Sequence, residues 1–197
     1  MIQNRFKKVV VGSLLVASSL FGDISSYEFE SHSLVGVEGG YSQLGYEYGT
    51  RANNTVHNIG ISHVGLKIGA ETEDFRVFLS GRYFHDSSSV HDYIVTYGGE
   101  IQYKFNATKL FNIFMGVNGG VANLKFRSST ETYSRTISSP YFGGDLGLNI
   151  HLGKAVDWEF GGRVMSIQAD NTRDGKTYHV NQIVSGYTSI ILKWQMN

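Results

Sequence analysis

The chain has 197 residues, 17 basic and 17 acidic side chains, 24 Gly, one Pro and no Cys, and its formal net charge is zero. Zero net charge argues against a nucleic-acid partner, and the absence of Cys excludes a disulfide framework, a thiolate zinc site and a lipid-anchored cysteine. With charged residues at 17%, aromatics at 13% and abundant Gly, a coiled coil and a disordered chain are excluded and an ordinary helical enzyme is disfavoured.

Residues 1–22 read as a secretory signal. Arg5, Lys7 and Lys8 form a positive start, and the run from Val9 to Phe21 is apolar, interrupted only by small residues. That run is shorter than the ~20 residues of a spanning helix. Cleavage is expected after Gly22, with the small residues Ala17, Ser18 and Ser19 as the alternative; an uncleaved anchor is the competing reading. No later stretch is apolar for the roughly 18 consecutive residues of a spanning helix. The chain is expected to be exported, with 23–197 as one domain.

From Tyr27 onward the sequence alternates with period two, as strands do. Tyr27, Phe29, Val35, Val37, Gly39 and Tyr41 share one parity, opposite Glu28, Glu30, Gly36, Glu38 and Gly40. In the second segment Val64, Leu66 and Ile68 oppose His63, Gly65 and Lys67; Ile59 and Ile61 fall on the polar parity, which predicts a bulge near Ser62. Phe75, Val77, Leu79, Gly81 and Tyr83 then oppose Arg76, Phe78, Ser80 and Arg82. Tyr93, Val95, Tyr97, Gly99, Ile101, Tyr103 and Phe105 oppose Ile94, Thr96, Gly98, Glu100, Gln102 and Lys104. Phe111, Ile113, Met115, Val117 and Val121 oppose Asn112, Phe114, Gly116 and Asn118. Phe142, Leu146, Leu148, Ile150 and Leu152 oppose Asp145, Gly147, Asn149 and His151. Val156, Trp158, Phe160 and Val164 oppose Asp157, Glu159 and Arg163, and Val184, Ile190, Leu192 and Trp194 oppose Ser185, Ser189 and Lys193.

These eight strands are joined by tight turns at 71–74, 106–108 and 153–154, and by longer polar loops at 48–55, 85–91, 127–139 and 169–181. The pattern describes an all-β, eight-stranded antiparallel up-and-down barrel. A barrel of this size has room for little more than its own inward side chains. If the apolar parity faced inward, the Tyr and Trp rings would not fit. The opposite arrangement puts apolar residues against lipid and polar or small ones inside, which makes a transmembrane β-barrel. A closed ladder also satisfies every backbone donor within hydrocarbon, and one Pro is compatible with it. Two interfacial girdles are expected. Phe75, Tyr103, Phe105, Phe111, Trp158 and Trp194 form one near the short turns; Tyr41, Tyr46, Tyr48, Tyr83, Tyr93 and Tyr141 form the other near the loops. A soluble periplasmic barrel is the alternative fold.

On this pattern residues 27–197 resemble the small bacterial outer-membrane β-barrel family, of the OmpA-type or opacity-protein kind. The resemblance implies periplasmic short turns, loops exposed outside, outer-membrane lipid and lipopolysaccharide as surroundings, and insertion by barrel-assembly machinery. The last strand departs from the family habit of a terminal aromatic: Trp194 stands three residues before the end.

The inward parity carries Lys67, Arg76, Arg82, Lys104, Arg163 and Lys193 against Glu38, Glu100, Asp145, Asp157 and Glu159. A narrow lumen leaves no charge without a partner. An ion-pair network is therefore expected, carried by Glu38, Arg76, Arg82, Glu100, Asp145, Asp157, Glu159 and Arg163. Folding about Ser88 sets Arg76 opposite Glu100; folding about Lys154 sets Asp145 opposite Arg163 and His151 opposite Asp157. Separately hydrated charges are the alternative.

No constellation for catalysis or cofactor binding stands out: there is no phosphate-binding Gly loop, no G-x-S-x-G and no H-E-x-x-H. Ser62 and His63 are the nearest hydrolase candidate, with no acid evident beside His63, so an interior structural His is expected. His85, Asp86, His91 and Asp92 are the nearest metal candidate, with solvated loop ends as the competing reading. Loop cations Arg51, Lys125, Arg127, Arg135, Arg173 and Lys176 are suited to lipopolysaccharide phosphates or a host or surface ligand. The expected role is a structural or surface-interaction barrel without cofactor. A small channel and, more remotely, a lipid-modifying enzyme are the alternatives.

Overall fold

A computed structural model describes residues 31–50, 53–85, 91–126, 135–173 and 176–195. The expected signal segment, Tyr27 and Phe29 lie outside them. The strands are β1 (His32–Thr50), β2 (Asn53–Glu71), β3 (Phe75–His85), β4 (His91–Phe105), β5 (Phe111–Phe126), β6 (Arg135–His151), β7 (Val156–Arg173) and β8 (Lys176–Gln195). Each pairs antiparallel with the next, and β8 returns to β1 to close the barrel. The rim holding His32 and Gln195 is the terminal rim; the opposite one is the distal rim. At the terminal rim Thr72 and Thr108 clamp their turns by accepting backbone hydrogen bonds at Oγ1 from Phe75 (3.3 Å) and from Leu110 and Phe111 (3.1 Å each).

Nearer the terminal rim the outer wall is apolar: Leu66, Leu79 and Phe142 are 65%, 66% and 68% exposed, with Val37, Val64, Ile101, Val117 and Leu146 in the same belt. The inner wall there is charged and its side chains are buried, with Arg76 at 0% and Arg163 at 1% exposure. Phe75, Tyr103, Phe105, Trp158 and Trp194 stand exposed near that rim. Phe75 and Tyr103 rings are 5.1 Å apart, and Tyr103 and Phe105 4.7 Å.

Towards the distal rim both walls exchange polarity. On β2 the outer face passes from Val64 to exposed Ser62 and Asn58, while the inner face passes from His63 to buried Ile61 and half-buried Ile59. The same exchange runs from Tyr41 to Gln43 on β1, Val121 to Asn123 on β5, Phe142 to Ser138 on β6, Val164 to Ser166 on β7 and Val184 to Gln182 on β8. The inner side above it is one apolar core that includes Leu44, Ile61, Phe84, Ile94, Leu124, Met165, Ile167, Val180 and Ile183. The bulge expected near Ser62 is absent: β1 and β2 pair without a shift from His32↔Glu71 to Thr50↔Asn53. Ile59 and Ile61 face inward because inside has become the apolar side. The register shifts lie elsewhere, between Gly45 and Tyr46 against β8, between Ser166 and Ala169 on β7, and between His91 and Tyr93. Tyr46 and Tyr141, expected in the outer girdle, pack into this inner core.

A ladder also ends at this height. β6 pairs β7 only as far as Tyr141↔Ile167, although both strands continue, and the β2–β3 ladder runs to Ser62↔His85, where the described part of β3 ends. Above the belt the described β6 and β7 have thus parted, with the apolar core on the inner side of the strands. Strands of 18 to 20 residues in β1, β2, β7 and β8 are about twice the 9–11 needed to cross a bilayer. Residues 48–50, 53–55, 169–173 and 176–181, expected as loop, are strand.

Candidate functional site

The chemistry of this chain is concentrated in the lumen of the belt. Among the described residues six inward cations, Lys67, Arg76, Arg82, Lys104, Arg163 and Lys193, meet six inward anions, Glu38, Glu71, Glu100, Asp145, Asp157 and Glu159. Glu71, expected in a turn, is the last inward residue of β2.

Two clusters form. At mid-lumen Arg163 donates to both Glu38 carboxylate oxygens, at 2.6 and 3.2 Å, and to Glu100 at 3.3 Å. Arg82 donates to Glu38 at 2.9 Å, to Ser80 at 3.0 Å and to Glu100. Four strands thus contribute an alternating square of two guanidiniums and two carboxylates. The Arg163 guanidinium also lies 4.3 Å from the Tyr187 ring centroid, a cation–π contact. Nearer the terminal rim Arg76 is the hub, donating to Glu71 (2.8 Å), Asp157 (2.9 Å) and Glu159 (3.2 Å). Lys104 donates to Glu71 at 3.1 Å, and Lys193 lies 3.0 Å from Asp157. Lys67 bridges the clusters, 2.6 Å from Glu159 and 4.0 Å from Glu38.

Asp145 stands apart. It is buried and, among the described residues, accepts only from amides, Gln102 Nε2 at 2.7 Å and Asn118 Nδ2 at 3.5 Å. It is the register partner of Arg163, as expected, but that guanidinium turns to Glu38 and Glu100. His151 faces Asp157 in register and meets it at 2.8 Å, also as expected. Arg76 does not face Glu100: the β3–β4 register sets Arg76 against Gln102 and Glu100 against Phe78, so this hairpin centres on Ser89. Arg76 reaches β7 instead. In so narrow a lumen a long side chain crosses the interior, and partners are decided by height along the axis more than by adjacency in the sheet.

Above the square, His63 Nδ1 lies 2.9 Å from Ser42 Oγ, which is 2.7 Å from Ser185 Oγ. His63 Nε2 is 3.3 Å from Glu38 Oε1, outside hydrogen-bond alignment. An acid therefore does stand beside His63, contrary to expectation, while Ser62 is on the outer face. Ser42, His63 and Glu38 are all buried, and Glu38 is already held by two arginines. Of the metal candidates Asp86 lies outside the described residues, as do the side chains of His91 and Asp92, and His85 is exposed. Among the described residues no group of three or more His, Asp or Glu side chains is placed to hold a metal ion. Of the loop cations only Lys125 has a described side chain, with Nζ 5.1 Å from the Tyr93 ring centroid.

An unbroken apolar belt around a charged, ladder-closed lumen is a lipid-facing wall. The chain has the fold of the small bacterial outer-membrane β-barrels. Neisserial surface protein A matches with a TM-score of 0.62 at 12% identity, over 83% of this chain and 97% of that one. The outer-membrane protein OprG from Pseudomonas aeruginosa matches with a TM-score of 0.53 at 14% identity, over 88% of this chain and 100% of that one. No family model and no curated protein sequence matches. The outer membrane is the location that belt and fold together assign to this barrel.

Proposed function

We propose that this outer-membrane barrel is a sealed anchor that holds a rigid β-walled extension outside the cell for surface contact. The observation that carries the reading is that the lumen is filled in two successive ways along its axis. Charged side chains interlock through the belt, and an apolar core occupies the interior above it. Ions crossing the first layer would have to break buried pairs, and ions crossing the second would have to enter hydrocarbon-like packing, which is costly without compensation. Water-exposed strand edges are tolerable only outside hydrocarbon, which supports the distal half as the part standing free of the membrane.

In this reading the short turns are periplasmic. The belt takes outer-membrane lipid, and Lys125 beside Tyr93 lies at the height of lipopolysaccharide phosphates. Barrel-assembly machinery inserts the chain, and host or surface ligands meet the distal walls. The Ser42–His63–Glu38 arrangement acts as an internal strut, since substrate has no way to reach it. Planar-bilayer recording tests the proposal. The purified barrel is expected to give no reproducible conductance steps; steady openings of uniform size would refute sealing and favour a small channel.

A further inference from the structure

Asp145 has no cationic partner among the described residues, although the register pairs it with Arg163. It ends a row that runs across three strands. Gln102 on β4, Gly116 on β5 and Asp145 on β6 are register partners in turn, and Asn118 stands one inward step from Gly116 towards the distal rim. Gln102 is 0% exposed, and Asn118 and Asp145 are 5% exposed each. Gly116 is the floor between them: a Cβ there would lie 3.1 Å from Asp145 Oδ1 and 2.8 Å from Gln102 Cγ. Both amides turn their nitrogens to the carboxylate, Gln102 Nε2 to Oδ2 at 2.7 Å and Asn118 Nδ2 to Oδ1 at 3.5 Å. Their oxygens, Gln102 Oε1 and Asn118 Oδ1, have no hydrogen-bond partner among the described residues. The nitrogen and oxygen of one amide are about 2.3 Å apart, so both oxygens lie within about 6 Å of the carboxylate.

Charge sets what this place lacks. At its level Arg82 and Arg163 meet three anions, Glu38, Glu100 and Asp145. The compensating cation belongs to the cluster nearer the terminal rim, where Arg76, Lys67, Lys104 and Lys193 meet Glu71, Asp157 and Glu159; Lys67 is 2.6 Å from Glu159 against 4.0 Å from Glu38. On the β5–β6 wall the buried ring of Phe114, packed over Gly147, stands between that cluster and Asp145. A buried carboxylate without a counter-charge is costly.

We propose that Asp145, Asn118 and Gln102 hold one sodium ion as a structural cation of the lumen. Asp145 is the anionic anchor. A half-turn of each carboxamide exchanges its nitrogen for its oxygen in nearly the same place, which sets neutral oxygens 2.7 and 3.5 Å from the two carboxylate oxygens. Oxygens at those separations span one ion bound at about 2.3–2.6 Å, the ligand distance of calcium, whose radius sodium nearly shares. One positive charge balances the level; a divalent ion overshoots it. A proton would also neutralise Asp145, but its single O–H donates once and leaves one of the two amide oxygens unserved.

The test is the folding equilibrium of the full barrel in vesicles of zwitterionic lipid, by urea titration at fixed pH and fixed ionic strength, with sodium chloride replacing choline chloride. An ion that binds only the folded state stabilises it in proportion to ln(1 + [Na+]/Kd), so between about 5 and 500 mM sodium the folding equilibrium is expected to rise about fivefold. Asp145→Asn removes the anchor and is expected to respond by less than about 1.5-fold over the same range, while in choline alone it stays close to the unchanged barrel. Asn118→Leu keeps every charge and loses one ligand oxygen, and its sodium response is expected to fall likewise. Equal sodium responses in the unchanged barrel and Asp145→Asn would overturn the site. So would a barrel indifferent to sodium but stabilised by lowering the pH in choline, where a proton alone is the counter-charge. Should Asp145→Asn fail to refold, Asn118→Leu carries the decision: a full sodium response there refutes the proposal. None of these outcomes depends on whether the barrel conducts.

Discussion

Replacing Arg163 by Met tests the lumen where its geometry is most demanding. The side chain is wholly buried, and its guanidinium holds Glu38 through two hydrogen bonds and Glu100 through a third. Methionine fills comparable volume but leaves those two carboxylates to Arg82, with Lys67 4.0 Å from Glu38. Removing one partner of a buried ion pair costs about 3–5 kcal/mol, and at 1.4 kcal/mol per tenfold this is roughly 100- to 4,000-fold in the folding equilibrium. Asp145→Asn should behave differently despite equal burial. Among the described residues only amides donate to Asp145, so its neutralisation orphans no cation and should cost about 1 kcal/mol or less. Adding Glu38→Gln to Arg163→Met should recover part of the loss, because the unpaired charge disappears. The assay is reversible urea unfolding in lipid vesicles, followed by gel mobility and by emission of Trp158 and Trp194, the two tryptophans, both on the lipid-facing wall. A loss below 1 kcal/mol for Arg163→Met, or equal losses for Arg163→Met and Asp145→Asn, would refute the pairwise account and favour a hydrated lumen.

Three further outcomes follow from the same geometry. Leu66→Arg, in the belt, should destabilise by about 2–4 kcal/mol in vesicles, whereas Asn58→Arg, four steps of the alternation further along the same face, should be close to neutral; similar costs by urea titration would misplace the membrane. A side chain at Gly161 would meet the Tyr187 ring at 2.5 to 2.8 Å, so Gly161→Val should lower folding yield and Tyr187→Ala should restore part of it, a coupling read by a double-mutant cycle. Phe84→Ala should cost about 3–5 kcal/mol and expose the distal strands to protease while the belt stays resistant; fragments cut within the belt would show that the two halves are not separable.

The barrel was legible because lipid imposes one rule on every strand: in β4 the outward Tyr93-to-Phe105 series and the inward Ile94-to-Lys104 series need no tertiary information to separate. Ile59 and Ile61 were misread for a related reason. The rule was applied to residues beyond the bilayer, where apolar side chains belong inside. Tyr141 carried a signal in its parity, which it shares with Asp145, Asn149 and His151, although its position near the strand end suggested a girdle. The ion pairs were less legible. Alternation assigns a residue to a face and a turn assigns approximate register, but a shift of one residue in the hairpin centre moved Arg76 two positions from Glu100. Nothing in the local sequence tells Arg76 to cross to Asp157 and Glu159, or Arg163 to prefer Glu38 to its register partner Asp145.

The height at which the walls exchange polarity is close to the height at which the β6–β7 ladder ends, and one cause explains both. Within hydrocarbon, apolar side chains gain nothing by facing inward, and every backbone group must find a partner in the chain, so the lumen takes the charges and the sheet closes. Beyond hydrocarbon both constraints are reversed. Water solvates Asn58, Ser62, Gln43 and Gln182 outside, burial rewards Leu44, Ile61 and Phe84 inside, and an open strand edge no longer carries a prohibitive cost. β6 and β7 can then part beyond Tyr141↔Ile167. A barrel kept in detergent should therefore retain both features, since they are written into the side chains. In an apolar solvent phase spanning its full height, the distal half should be the part that fails.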